Sequence, residues 1–299
     1  FATGNDDGSS WVDAYNSLQT ALTDAGIGGS GLTEIWVADG TYKPDQGGKE
    51  TPGDRNSGFR LDNGVAIYGG FAGGEVSLSQ RNPAANVTIL SGDLGGDDGP
   101  AFTNNTENRL HVVTGVAVNA TAILDGFTIT AGHANGPGPH ENGGGMYLQD
   151  SETAAVIRNC RFFRNATTET EGSGGGADGA GVFVHSGSPQ FIDCTFEENR
   201  ALFQGNGAAV SCYVTASPTF VGCRFVDNQA LGGGVGGAGG AMDLLSGCNA
   251  TLVNCTFLGN STPTQNGWAV RIANGSAANF TNCLFSGNFS VGGGGIVIG

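Results

Sequence analysis

From about residue 145 to 290, apolar and polar positions alternate in short runs that return roughly every 30 residues. One run has the form Cys-x-Phe-x-x-Asn. It occurs as Cys160, Phe162 and Asn165, then Cys194, Phe196 and Asn199, then Cys223, Phe225 and Asn228, then Cys255, Phe257 and Asn260, and last Cys283, Phe285 and Asn288. Successive Cys residues are 34, 29, 32 and 28 positions apart. A second run precedes each of these, such as Gln190-Phe-Ile192 and Thr219-Phe-Val221. A third opens on a small residue: Gly145-Met-Tyr-Leu148, Gly181-Val-Phe-Val184, Ala209-Val-Ser-Cys212, Ala241-Met-Asp-Leu244 and Ala269-Val-Arg-Ile272. A period of two over so few residues predicts strands. A repeat this short cannot bury its own core, so it must stack on its neighbours. The pattern therefore predicts an all-β chain: a single-stranded right-handed parallel β-helix, or solenoid, with about three strands per coil. Equivalent residues then lie about 4.8 Å apart along the axis. That arrangement stacks Cys on Cys and Phe on Phe inside the tube, and Asn on Asn at a corner where amides bond along the stack.

Up to about residue 142 the coils are irregular but of the same kind. In Leu124-Asp-Gly-Phe-Thr-Ile-Thr-Ala-Gly132, Phe127 takes the Cys place, Ile129 the Phe place and Gly132 the Asn place. Val87–Leu90, Val65–Tyr68 and Ile35–Val37 bring the expected total to nine or ten coils and a body of about 45 Å. Trp11, Tyr15, Leu18, Ala21, Leu22 and Ala25 share one helical face, which predicts a short helix capped by Ser9 or Ser10. This helix, in an N-terminal segment 1–30, covers the open end of one continuous β-helix domain, 31–299.

Composition supports a repeat fold. Gly accounts for 55 of 299 residues without a Gly-X-Y period, which suits tight turns in every coil and excludes collagen. The formal net charge is -15, and Lys43 and Lys49 are the only lysines. Such an acidic surface disfavours nucleic acid and anionic membranes as partners. No apolar run approaches the roughly 20 residues of a membrane span. The chain opens on Phe1 rather than Met, without a visible signal peptide, so a processed or trimmed form is expected; fold and composition are what place it outside the cell or at its surface.

Gly4-Asn-Asp-Asp-Gly-Ser-Ser-Trp11, Ile35-Trp-Val-Ala-Asp-Gly-Thr-Tyr42, Leu124-Asp-Gly-Phe-Thr-Ile-Thr130 and the Asn-Cys-x-Phe repeats together resemble one group. It is that of the pectin-lyase-like right-handed β-helix proteins of bacterial cell surfaces, with repeats similar to those of polymorphic outer-membrane proteins. The resemblance spans nearly the whole chain and implies the fold. It also implies a comparison with pectate lyases, polygalacturonases and pectin esterases.

Lyases of that kind need a basic proton abstractor beside calcium-holding carboxylates, and hydrolases need carboxylates on adjacent strands. Neither set is evident, so no catalytic residue is assigned and the chain leans away from an enzyme. Arg161 and Arg224 share a repeat position two coils apart, with Thr195 between them, which reads as a solvated face. Asp243 and Arg271 share a position in successive coils and are expected to form a surface ion pair of little worth. His133 and His140 bracket a loop without a known zinc spacing. Among the acidic clusters, Asp93, Asp97 and Asp98 are the best candidates for a structural calcium ion; no other cofactor is expected. The ladder Cys residues are expected to remain mostly thiols, because in-register side chains point the same way and a bond between them is strained.

The ends supply the last expectation. Gly295, Ile296, Val297 and Ile298 match the Ala269–Ile272 strand with no polar cap after them, and Phe1 opens inside a strand-like segment. Three explanations stay open: the chain is a fragment of a longer protein, a further tail caps it, or another subunit completes the coil, each end completing the other in head-to-tail self-association and, if the contact does not close, a filament. A structural or surface solenoid acting by assembly or adhesion is thus the first reading. The alternative is a polysaccharide-binding or polysaccharide-degrading β-helix using the Gly-rich loops; a row of aligned carboxylates and aromatics on one outer face is what would favour it.

Overall fold

The computed structural model describes residues 2–26, 31–150, 152–169, 176–203, 205–231, 238–263, 267–291 and 295–298. These form a right-handed parallel β-solenoid with one short helix. Each regular coil visits four sheets in turn. The fourth coil passes through Met146–Gln149 in sheet C, Val156–Arg158 in sheet A, Arg161–Phe163 in sheet B and Ala166–Thr168 in sheet D. Among the described residues, sheets A, B and C hold eight strands each and sheet D six. The fourth sheet was not foreseen: its strands follow the Asn position and carry small residues such as Ala201 and Ala230, whose pattern is too short and too polar to read as a strand.

The stack has about seven turns, not nine or ten. The runs Val65–Tyr68 and Val87–Leu90, which alternation separates into two coils, fall at the sheet A strand Ala66–Phe71 and the sheet B strand Thr88–Ser91 of a single coil, joined by a long excursion. Eight stacked strands span roughly 34 Å rather than 45 Å. Elsewhere the register follows the pattern: Phe162 pairs with Ile129 and Phe196, and Met146-Tyr-Leu148 with Val182-Phe-Val184.

Sheet B is bounded by residues in the left-handed region on both sides. Asn159, Asp193, Gly222, Asn254 and Asn282 (φ 50 to 65°) turn the chain in, and Arg164, Glu198, Asp227, Gly259 and Gly287 (φ 51 to 64°) turn it out. Such turns suit Gly, Asn and Asp; Arg164 and Glu198 hold them against their intrinsic preference because the next residue is the Asn of the ladder.

Inside, Phe162, Phe196, Phe225, Phe257 and Phe285 stack nearly parallel, with centroids 4.4 to 5.0 Å apart. Phe191 and Phe220 of sheet A stack at 4.9 Å and meet that column edge-on. The Asn ladder is saturated. Asn228 Nδ2 donates to Phe196 O and to Asn260 Oδ1, both at 2.9 Å, while its Oδ1 accepts from the backbone N and the Nδ2 of Asn199. The same bonds repeat from Asn165 to Asn288.

The helix is Leu18–Gly26, with Leu18, Ala21 and Leu22 packed into the core at the first coil. It starts later than expected and is capped by Ser17, whose Oγ accepts from Thr20 N. Residues 4–13 instead form turns tied by Asp6, Asp7 and Asp13. Trp11, placed on the helix by its spacing, leaves it to pack on Phe71 (5.4 Å) and donates Nε1–H to Glu75 O. Among the described residues no helix is long and apolar enough to cross a membrane.

Candidate functional site

The ladder residues lie inside the tube or at its Asn corner. Cys160, Cys194, Cys223 and Cys255 are buried and Cys283 half-buried, and all seven Cys are thiols. Each ladder thiol donates to a carbonyl of the preceding coil, for example Cys223 to Phe191 O at 3.3 Å. Burial pushes the Cys160 thiol up to about 12, and the thiol-to-thiol hydrogen bonds with Cys194 and Cys223 push Cys223 and Cys255 higher still. Thiols so far from ionisation pack as small apolar groups and do not act as nucleophiles.

Most outward-facing charge on sheets A and B is spent on pairing across coils. Asp125 accepts from Arg81 (2.7 Å), Arg158 (2.6 Å) and Asn159 (2.9 Å), and its side chain is almost fully covered. Arg161 pairs with Glu197 at 2.8 Å, and Arg164 lies 3.7 Å from Glu198.

Sheet C differs. Its outward positions fall in strict register: Tyr147, Phe183, Ser211, Asp243 and Arg271, one per coil. An outward row is normally wet, yet Ser211 and Asp243 are fully buried and Tyr147 and Phe183 nearly so. The Asp243–Arg271 pair, expected at the surface, is therefore covered: the carboxylate lies 3.5 Å from the guanidinium with no exposure of its own. Neither Asp243 oxygen accepts a hydrogen bond, and the Ser211 hydroxyl and Glu141 Oε2 are likewise without one. Burial raises Asp243 to about 7 despite Arg271, and raises Asp178 to about 6 although Asn206 donates to it. Two carboxyls poised near neutrality beside a hydroxyl and a guanidinium could serve as proton donors. The signal was present in the sequence: two aromatics at outward strand positions, beside the Gly-rich excursions, mark a covered face.

Next to Tyr147, His111 Nδ1 bonds Gly143 O, which leaves Nε2 to accept from His140 Nδ1–H at 3.0 Å. Burial lowers His111 to about 3, so it is neutral. His140 thus pairs with His111, while His133 is committed to Asn105 O and Thr168 Oγ1.

Asp93, Asp97 and Glu107 each bring a carboxylate oxygen within 4.8 Å of the others. Asp98, grouped with Asp93 and Asp97 from sequence, turns instead to Asn108 Nδ2 at 2.8 Å, and burial followed by its acidic neighbours raises it to about 6. Glu107 was missed because it stands at the far stem of the excursion, ten residues after Asp97. At the tip, Phe102 sits under the guanidiniums of Arg164 (5.5 Å) and Arg200 (5.0 Å) and walls an open cleft with Glu198 and Asp227.

Of the expected assembly end, Phe1 lies outside the described residues. Gly295 and Ile296 are exposed, and Ile296–Ile298 pairs in register with Val270–Ile272 of sheet C.

The family described as right handed beta helix region matches residues 94–299, more than two thirds of the chain. The chain belongs to the right-handed β-helix family. No curated protein and no solved structure matches it. In this β-helix the stretch that matches carries the Asn and Cys ladders, the sheet C row and all but the first stem residue of the acidic excursion.

Proposed function

We propose that the protein is a structural β-solenoid of the pectin-lyase-like, bacterial cell-surface type that its repeats resemble. It works outside the cell or at the surface by assembly or adhesion, and lengthens head to tail. The supporting observation is the coil-to-coil junction itself. Phe column, Asn ladder and parallel strands repeat through the coils from Phe162 to Asn288, so each of these coils offers the same donors, acceptors and rings to a neighbouring coil, and this is the surface a second copy would use. Crosswise pairing of the charges on sheets A and B adds a surface suited to rigidity. Electron microscopy with sedimentation velocity, from micromolar to millimolar protein, tests the reading: rods that lengthen with concentration are expected. Monodisperse single particles throughout would remove the head-to-tail element.

A second reading, action on an acidic polysaccharide, draws support from the sheet C row and from Asp178 and Asp243. Release of unsaturated or reducing-end products that disappears in Asp243→Asn and Asp178→Asn proteins would favour it over assembly; no products from a panel of acidic polysaccharides would reject it.

A further inference from the structure

The excursion from Asp93 to Asn108 is closed at its base by Arg109 N–H donating to Gly92 O at 2.8 Å. Its two stems bring together carboxylates rather than opposite charges. Asp93 and Asp97 come from the first stem and Glu107 from the second, and one oxygen of each lies within 4.8 Å of the others. Asp98 adds a fourth carboxylate alongside. Two cations stand near and are engaged elsewhere. Lys43 donates Nζ–H to Leu94 O at 3.1 Å, and Arg55 donates to Asn108 O, His133 O and Asn135 Oδ1. Among the described residues no ion pair joins either of them to the four acids. Backbone N–H groups of Gly96, Asp97 and Asp98 donate to Asp93 and offset part of its charge; like charges held this close still repel, and a cation between them removes the repulsion.

A second observation points the same way. Asn108 is 1% exposed, and its amide is fixed at the cluster by the bond from Nδ2 to Asp98. The other end of that amide, Oδ1, has no hydrogen-bond donor, and neither has the shielded Oε1 of Glu107. A buried oxygen without a donor is costly. Gly95 forms the floor: a Cβ there would stand 2.8 Å from Asp97 Oδ1 and 3.2 Å from Glu107 Oε1. The donor set is oxygen only, mixing carboxylates with a carbonyl in irregular positions, which suits calcium better than the strict octahedron of magnesium.

We propose that Asp93, Asp97 and Glu107, with the side-chain carbonyl of Asn108, bind a calcium-type divalent cation that ties the two stems of the excursion together. This goes beyond the structural reading and does not depend on it. The ion also sets the loop that carries Phe102, and hence one wall of the Arg164–Arg200 cleft.

Calcium titration of chelator-treated full chain, by calorimetry and thermal melting, is the test. One ion per chain and a rise in melting temperature are expected. Glu107→Gln should weaken binding by at least about ten-fold, and Asp97→Asn, at an exposed position that leaves folding intact, should weaken it as well. Asp62→Asn, an acid remote from the cluster, should bind as the unaltered chain does. No heat and no melting shift at millimolar calcium would overturn the proposal, as would unchanged affinity in the Glu107→Gln and Asp97→Asn proteins.

Discussion

Sheets B and C run along the same axis, separated by sheet A on one side and sheet D on the other, and use their residues in opposite ways. Sheet B repeats: Phe stands on Phe for five coils, and the exposed side carries whatever pairs cheaply, such as Arg161 with Glu197. Sheet C changes on its outward side at every coil and buries the result, from Tyr147 through Phe183 and Ser211 to Asp243. Sameness is what stacking rewards, because identical rings and amides add the same favourable contact at each step. A row that varies yet stays covered gives up those gains. Buried carboxyls with raised pKa values are the mark of that loss.

Four substitutions would break or sharpen this contrast. The largest effect is expected from Phe225→Ala, in the middle of the sheet B column and fully buried. It should lower unfolding free energy by about 4 kcal/mol, read from the midpoint of urea denaturation. A loss below about 1 kcal/mol would mean that the column is not the main prop. Asn228→Ala should follow at about 3 kcal/mol, since it leaves Phe196 O and Asn199 N–H buried without partners.

The third concerns sheet C and pH. Asp243 rises from 3.8 to about 7 on folding, so the native state holds its proton more tightly than the unfolded chain. Its stabilising contribution is complete below about pH 4 and is lost as pH climbs through about 7. His111 acts in the other direction: lowered to about 3, it favours the native state above pH 6.5 and loses that effect as pH falls. The difference between the unaltered chain and Asp243→Asn isolates the carboxyl. Over pH 5 to 7 the unaltered chain should lose on the order of 1 kcal/mol per pH unit relative to the variant. Parallel curves would show that Asp243 is wetter than the fold implies. Smallest is Arg161→Ala on the exposed side of sheet B, where the half-exposed pair with Glu197 should cost less than about 1 kcal/mol.

Much of this is legible in the amino-acid pattern, and the parts that are not share a cause. Period-two runs and fixed Cys-x-Phe-x-x-Asn spacing locate sheets A, B and C and the Asn corner, because each depends on local alternation. Coil number failed where Ala66–Phe71 and Thr88–Ser91 belong to one turn, since a long excursion imitates a coil boundary. Trp11 fitted the helical spacing but was drawn off by Phe71 and Glu75, partners some 60 positions away that no window contains. Glu107 entered the acidic cluster, and Asp178 came to lie beside sheet C, by chain closure rather than by spacing. The candidate sites are therefore the least readable part: they form where distant excursions return, and alternation carries no record of that return.

The direction of the hydrogen bonds has a mechanical consequence. Each interior strand of a sheet bonds to its equivalents in the coils above and below, so the bonds lie along the axis, and a pull on one chain end loads the outermost coil first. The solenoid should then peel rather than shear. Each coil released lets out the 28 to 34 residues that separate successive ladder Cys, a gain of roughly 100 Å of contour. Under tension the regular coils should yield length in nearly equal steps while the coils behind the break keep their form.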